Sequence, residues 1–186
     1  NSGSISLLAN QDQYQGFVDN GNNAFGLLYK NNNLHFEIQI DKSHPIGETD
    51  PAGIKDILME SAITTIQDCE DSVSAVDAED KVRVYRNWCG LMKGTLTTSF
   101  QKNSETVNRS LEKDRSYIGI EGESITLPGR SLLLVRNVGL HMHTDSVLFN
   151  GRPIPEGFLD ALMTSLAALH DIRGKECGLN SRKGTL

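Results

Sequence analysis

Apolar and polar residues alternate most regularly in the first quarter of the chain. Apolar side chains occupy every second position of residues 34–40, with polar side chains between them, which predicts a half-exposed β-strand. The asparagine run 31–33 predicts a turn before it, because asparagine tolerates left-handed dihedral angles. We expect this strand to pair with the segment 25–29 in an antiparallel hairpin. Residues 118–129 predict a second hairpin.

Two other apolar runs predict buried strands. The run 132–135 is continuous, which is typical of a strand that is covered on both faces, and it begins a predicted strand at 132–138. The run 62–67 is short and β-branched, and helical patterns follow the two strands at 77–94 and 155–174. A strand followed by a helix is one βα unit, so the pattern predicts two such units. The residues expected to face the core are Val82, Tyr85, Trp88, Cys89 and Met92 in the first helix, and Phe158, Leu159, Leu162, Met163, Leu166 and Leu169 in the second.

A further helix is predicted directly after Asp50. Aspartate is a favoured N-cap residue, and Pro51 suits the first helical position. Ile54, Ile57 and Leu58 would then form the buried stripe of this helix. It would lie between the antiparallel strands and the first βα unit.

Charged residues stand at the ends of both apolar runs, where α/β folds present ligand-binding groups. Arg136 follows one run, and a buried guanidinium needs an anionic partner because an unpaired buried charge is costly. A bound anion and a structural ion pair explain Arg136 equally well. Asp68 and Glu70 follow the other run, and their i, i+2 spacing within a strand would suit a hard cation. From the pattern alone, an acidic loop that begins a helix is the favoured alternative.

Longer sequence blocks around these residues are specific enough to indicate a family. They read HPIG (44–47), DPAGIKD (50–56), SAITTIQDCEDS (61–72), AVDAEDK (75–81), YRNWCGLMKG (85–94) and GRSLLLVRNVG (129–139). In order and spacing these blocks resemble malate synthase G, the long bacterial form of malate synthase. The resemblance covers nearly the whole chain.

The resemblance implies a mixed α+β or α/β fold. It would contain part of a (β/α)8 barrel, together with an inserted α/β domain whose sheet is mostly antiparallel. Residues 62–94 and 131–186 would be barrel βα units, and residues 1–61 and 95–130 would belong to the inserted domain. A closed barrel needs about 250 residues, so a chain of 186 residues is expected to be an internal fragment of the enzyme.

The resemblance also implies a reaction and roles for particular residues. Malate synthase condenses acetyl-CoA with glyoxylate and then hydrolyses the thioester, giving malate and CoA in the glyoxylate cycle. By resemblance, Arg136 is the catalytic arginine, which binds glyoxylate and stabilises the enolate oxygen. Ser72 and Arg109 match positions that contact acetyl-CoA, and Asp68 and Glu70 match outer-shell positions near a magnesium ion. The direct magnesium ligands and the catalytic aspartate base lie outside this chain by the same resemblance, so the fragment alone is expected to be inactive.

Composition narrows the choice of partners and compartment. The net charge of −6, without a clustered basic face, argues against nucleic acid as a partner. No apolar run approaches the roughly 20 residues that a membrane span requires. Cys69, Cys89 and Cys177 show no Cys-x-x-Cys spacing and are expected to be reduced thiols of a cytoplasmic protein. His141 and His143 lack a third ligand at a spacing that suits zinc.

A function of another class is the main alternative. The chain would then be a stand-alone, non-enzymatic domain derived from malate synthase, which binds CoA through Ser72 and Arg109 or interacts with another protein. Exposed apolar faces on the second βα unit would favour the fragment, because barrel strands need neighbours on both sides. The parent enzyme is expected to be monomeric, whereas an isolated fragment is expected to self-associate.

Overall fold

The computed structural model describes residues 8–60, 64–71 and 73–173, and the contacts of the chain divide it into two compact units. Each unit combines two stretches that are separate in sequence. The first unit contains Asn1–Ser61 and Lys113–Gly129, and the second unit contains Ala62–Glu112 and Arg130–Leu186. The boundary after Glu112 therefore divides the segment 95–130, whose assignment to an inserted domain stays a prediction.

Strands outnumber helices in the described residues, and most strand pairs are antiparallel. A short 3-10 helix, Gln11–Gln13, comes first. The other elements in chain order are β1 (Tyr14–Asp19), β2 (Phe25–Asn31), β3 (Leu34–Ile40), α1 (Pro45–Thr49), β4 (Ile54–Met59), β5 (Thr64–Asp68), α2 (Ala78–Lys93), β6 (Thr97–Lys102), β7 (Glu105–Ser110), β8 (Arg115–Gly119), β9 (Ser124–Leu127), β10 (Leu132–Arg136), β11 (His143–Phe149), β12 (Arg152–Pro155) and α3 (Glu156–Arg173).

The first unit is built on a six-stranded antiparallel sheet with the order β4-β3-β2-β1-β8-β9. The predicted hairpin of β2 and β3 is confirmed, and its turn places Asn32 and Asn33 at φ values of 48° and 65°. The second predicted hairpin is confirmed as β8 and β9. Leu28, Tyr117 and Leu127 form the buried core on one face of this sheet.

The helix predicted after Asp50 is wrong. Residues 54–59 form β4 and pair with β3, and the nearby helix is α1, which precedes Asp50. The Asp50 carboxylate accepts the N–H groups of Ala52 and Ile54, both at 2.9 Å, so it closes a turn and does not cap a helix. The expected buried stripe is also wrong, since Ile57 is 56% exposed.

The second unit contains a parallel strand pair and two helices. β5 and β10 are in register, so that Leu132 pairs with Thr64 and Arg136 with Asp68. The helices α2 and α3 pack against each other, and their contact forms a core to which Leu133 and Val135 of β10 add. β6 with β7 and β11 with β12 form two separate hairpins.

The expectation that the apolar strands are covered on both faces is not met in this chain. Leu132 and Leu134 are each 46% exposed, and Ile66 on β5 is 58% exposed. Leu133 and Val135, which alternate with the exposed leucines, pack against the helical core. Within residues 64–71 and 73–173, helices therefore cover one face of the parallel pair.

The predicted extent of α2 is confirmed. The Asp77 side chain accepts the N–H of Asp80 at the N-terminus, and Gly94 ends the helix in a left-handed conformation. Its buried face differs from the prediction at one position, since Val84 is fully buried whereas Val82 is 42% exposed.

The predicted core face of α3 is largely wrong. Phe158, Leu162 and Leu166 are 62%, 64% and 58% exposed. The buried residues of the helix are mostly small or polar, namely Gly157, Asp160, Thr164, Ala167, Ala168 and Asp171. Small side chains let α3 approach α2 closely, and the Trp88 indole N–H donates to the Thr164 carbonyl at 3.0 Å. Among the described residues no helix is long and apolar enough to cross a membrane.

Candidate functional site

The parallel pairing of β5 and β10 brings two predicted site residues together. Arg136 ends β10 directly opposite Asp68, which ends β5. The Arg136 guanidinium donates a hydrogen bond to the Asp68 carboxylate and lies 3.6 Å from an oxygen of Asp71. The Arg136 side chain is nevertheless 62% exposed. The arginine therefore has acidic partners and also presents donors to solvent at the carboxyl end of the parallel strands.

The environment of Asp68 keeps its carboxylate ionised. Burial alone would raise the pKa of Asp68, but hydrogen bonds from the Glu70 backbone and from Arg136 lower it below its ordinary value. The Glu70 N–H donates to Asp68 Oδ1 at 3.0 Å, while Arg136 contacts Oδ2. Each carboxylate oxygen thus has its own donor, so the side chain holds one orientation opposite the arginine.

The position of Glu70 differs from the geometry that its spacing suggested. β5 ends at Asp68, so Glu70 lies in the following turn and not on the same strand face, and it is exposed. In the part of the chain that the structure describes, no three His, Cys, Asp or Glu side chains come together to hold a metal ion, and this includes His141 and His143. The described residues do not fit a direct magnesium site. The outer-shell role of Asp68 and Glu70 stays a prediction.

Of the two residues predicted to contact acetyl-CoA, the structure describes Arg109 but not Ser72. Arg109 lies on β7, opposite Thr98 of β6, and its side chain is exposed. The hairpin that carries Arg109 belongs to the second unit, as does Arg136. Ser72 lies outside the described residues. Their roles in binding acetyl-CoA stay predictions.

A buried charged network behind the strand ends was missed by the sequence patterns. Asp160 of α3 is fully buried, and its Oδ1 accepts from the Tyr85 hydroxyl at 2.6 Å and from Lys81 Nζ at 3.2 Å. Its Oδ2 accepts the backbone N–H of Val138 at 2.9 Å. The signal in the sequence is weak: Asp160 lies between apolar residues in the first half of the predicted helix. A core face assigned from the large apolar side chains does not include it.

Lys81 extends this network to the other strand. Its Nζ donates to the Cys69 carbonyl at 2.9 Å and lies 2.5 Å from a carboxylate oxygen of Glu156. Burial alone would lower the pKa of Lys81, but the contacts with Glu156 and Asp160 raise it above its ordinary value. Lys81 therefore stays positively charged between two carboxylates.

The cysteines of the described residues are free thiols. Cys69 is fully buried, whereas Cys89 is half-buried. Burial, followed by the nearby charge of Asp160, raises the pKa of Cys69 to about 12. Cys177 lies outside the described residues.

Comparison with known proteins supplies the family. The chain is 50% identical over 187 residues to malate synthase G of Halalkalibacterium halodurans, a match to all of this chain and 26% of the relative. It is 49% identical to malate synthase G of Corynebacterium glutamicum over 98% of its own length, and equally so to that of Corynebacterium efficiens. These matches cover 25% and 24% of the two relatives. A scan against protein-family models finds none that matches the chain.

A chain that shares half of its residues with malate synthases along its whole length belongs to that class of sequences. Within the class it belongs to the malate synthase G family, so the resemblance predicted from the motifs is confirmed. The chain spans about a quarter of the length of the curated relatives it matches.

Proposed function

We propose that the chain is part of a malate synthase that condenses acetyl-CoA with glyoxylate and hydrolyses the resulting thioester to malate and CoA. The observation that carries the proposal is the exposed guanidinium of Arg136, held by Asp68 at the carboxyl ends of two adjacent parallel strands. Ligands bind at this end of the strands in parallel α/β folds. The identity to malate synthase G, close to 50%, supports this chemistry for that position.

In this proposal Arg136 binds anionic oxygens of the substrates. A guanidinium offers several N–H donors in one plane and stays charged at any working pH, so it holds glyoxylate and stabilises the oxygen that becomes negative in the enolate. Asp68 orients the guanidinium from the neighbouring strand. Orientation matters because a donor aligned before the reaction costs no reorganisation in the transition state.

The remaining catalytic groups belong to other parts of the parent enzyme in this proposal. The direct magnesium ligands and the aspartate base lie outside this chain. Asp68 and Glu70 would contact the metal only through water, because the Asp68 carboxylate is bonded to Arg136 and the described residues form no direct site. Ser72 and Arg109 contact acetyl-CoA.

The exposed apolar residues of the second unit support a larger barrel in the parent. One face of β5 and β10 and one face of α3 carry large uncovered side chains, namely Ile66, Leu132, Leu134, Phe158, Leu162 and Leu166. Monomeric proteins rarely leave such faces uncovered. We therefore assign residues 62–94 and 131–186 to two βα units of a (β/α)8 barrel, and residues 1–61 and 95–130 to a domain inserted into it. The enzyme would act in the cytoplasm, in the glyoxylate cycle.

Replacing Arg136 in the full-length enzyme tests the proposal. Arg136→Lys keeps the charge but loses the planar donors, so glyoxylate-dependent CoA release should fall by about 100-fold or more. Arg152→Lys is the matched control, because Arg152 is exposed on β12 and pairs with Phe149 in the β11–β12 hairpin, not with the parallel strands. It should leave turnover unchanged. Near-normal turnover of Arg136→Lys would refute the catalytic assignment.

Two experiments distinguish a fragment of the enzyme from a stand-alone binding domain: an activity assay of the isolated chain and reading of the coding sequence. We expect the purified 186-residue chain to release no CoA when acetyl-CoA and glyoxylate are supplied, and turnover by this chain would contradict the proposal. Reading the coding sequence beyond residue 186 decides between the two classes. A continuing frame that supplies carboxylates for magnesium and an aspartate base supports the enzyme, whereas a stop codon there favours the binding domain.

A further inference from the structure

We propose that Asp160 is a positioning residue, which fixes the ends of β5 and β10 and thereby the arrangement of Asp68 and Arg136. The inference rests on the proposed function, because the position of Arg136 affects catalysis only if Arg136 binds substrate. Asp160 lies on α3 and belongs to none of the groups that the proposed reaction uses directly.

The first connection runs from Asp160 to the end of β10. Val138 comes two residues after Arg136, beyond the last paired residue of the strand, and it is buried. Its N–H is accepted by Asp160 Oδ2 at 2.9 Å. A buried N–H without an acceptor is unfavourable, so this bond fixes the path of the backbone directly after Arg136.

The second connection runs through Lys81 to the end of β5. Lys81 Nζ contacts Asp160 at 3.2 Å and donates to the carbonyl of Cys69 at 2.9 Å. Cys69 follows Asp68 directly, and its own N–H donates to the Arg136 carbonyl at 2.9 Å. The ends of β5 and β10 are therefore bonded to each other. Both are also connected to the Asp160 carboxylate, β10 directly through Val138 and β5 through Lys81.

Burial of these charges supports a positioning role over simple packing. The side chain of Asp160 is 0% exposed and that of Lys81 is 13% exposed. Removing charges from water is unfavourable, and a well-packed apolar pair of similar volume is often as stable or more stable. An apolar pair would not bond to the N–H of Val138 and the carbonyl of Cys69. The directional contacts are what the charged pair provides.

The test uses the full-length protein that carries this segment, with Asp160→Asn as the main variant. Asparagine keeps the shape of the side chain but replaces one carboxylate oxygen by an amide NH2, so it no longer accepts from both Val138 and Lys81. Asp171→Asn is the matched control, since Asp171 is 2% exposed on the same helix, eleven residues or roughly 16 Å further along. Tyr85→Phe is a second control, because it removes a bond to Asp160 and leaves both connections to the strands.

Two readouts separate positioning from general destabilisation. In Asp160→Asn we expect kcat to fall about 10- to 100-fold, as displacement of a catalytic group by about 1 Å does, with KM for acetyl-CoA within about twofold. Hydrogen exchange should accelerate in peptides that contain Cys69 and Val138. The Asp171→Asn and Tyr85→Phe variants should keep both the kcat and the exchange protection of these peptides, even where their melting temperature falls.

The outcomes distinguish failure of this inference from failure of the proposed function. Unchanged kcat and exchange in a folded Asp160→Asn variant, or an equal loss of kcat in Asp171→Asn, would overturn the positioning role while Arg136→Lys still tests the reaction. If the unsubstituted enzyme does not use glyoxylate, the proposed function fails, and the exchange experiment still decides whether Asp160 fixes the strand ends. Should Asp160→Asn not fold, Lys81→Met is measured in the same way, and unchanged exchange at Cys69 would overturn the inference.

Discussion

At the scale of single residues, Arg136 shows how an ion pair and a ligand-binding group coexist in one side chain. The sequence left these as two alternatives, and the structure shows the acidic partners at Asp68 and Asp71. The guanidinium has more donors than one carboxylate uses, and most of its surface is exposed. Because Arg136 and Asp68 are paired positions of parallel strands, the backbone register sets their contact.

Cys69 yields a prediction about thiol reactivity. Its pKa is raised to about 12 by burial and by Asp160, compared with an ordinary value of 9.0, so the native thiol remains protonated at pH 8. We expect iodoacetamide to modify Cys89 in the native protein at pH 8 and to leave Cys69 unmodified, as measured by peptide mass spectrometry. In urea both should react, which is the control. Equal reaction rates in the native protein would contradict the prediction.

The same shift has a defined pH dependence. The folded-state pKa of Cys69 lies above the unfolded value, so its contribution to stability is complete below pH 9 and is lost as the pH rises towards about 12. Replacing Cys69 by alanine should remove this part of the alkaline destabilisation. Denaturation at pH 8 and pH 10.5 measures the difference between the two proteins.

At the scale of elements, the sequence predicted correctly those helices and hairpins that are marked by turn or capping residues. The asparagine turn fixes the hairpin of β2 and β3, and Asp77 with Gly94 fixes both ends of α2. The segment 54–59 could not be assigned in this way. Its apolar spacing suits a helix, but hydrogen bonds to β3 make it a strand. β3 is not adjacent in sequence, so the local pattern does not reveal this pairing.

The face of α3 could not be predicted for a related reason. Hydrophobicity placed Phe158, Leu162 and Leu166 in the core, whereas the helix buries the small residues on its other side. Which face of α3 is buried depends on two residues of α2. Trp88 bonds to the Thr164 carbonyl, which requires a close contact between the helices, and Lys81 bonds to the buried Asp160 carboxylate. In the candidate site, Arg136 and Asp68 could be singled out by their positions after apolar runs, but the network of Asp160 required the helix packing.

The contact between α2 and α3 gives a prediction about packing. Ala167 is 9% exposed and lies against Trp88, so Ala167→Leu should overpack the contact and lower the free energy of unfolding by about 1–3 kcal/mol. Ser165→Gln adds a side chain of similar size on the exposed side of the same helix without adding apolar surface, and it should change the stability by less than about 0.5 kcal/mol. Urea denaturation of the 186-residue chain followed by circular dichroism measures both. Equal effects of the two substitutions would contradict the observed helix face.

At the scale of the whole molecule, both units expose large apolar side chains, and the relatives are long enough to cover them. Large apolar side chains are exposed on the sheet of the first unit, such as Phe17, Phe25 and Ile57. Others are exposed on the parallel strands and on α3 of the second unit. The relatives that match this chain are about four times longer, so they contain enough additional residues to cover such faces.

The exposed face of α3 is expected to cause association of the isolated chain. We expect the isolated chain to self-associate in light scattering, because Phe158, Leu162 and Leu166 present a continuous apolar stripe to water. Changing all three to glutamine should shift the chain towards the monomer, whereas Val76→Gln, at a single exposed position on a loop, should not. In the full-length enzyme the stripe is expected to be covered, so Leu162→Ala should lower the free energy of unfolding by about 2–5 kcal/mol. If the isolated chain is monomeric and Leu162→Ala does not affect the full-length enzyme, α3 is exposed in both, and the proposed assignment of this helix to a barrel is wrong.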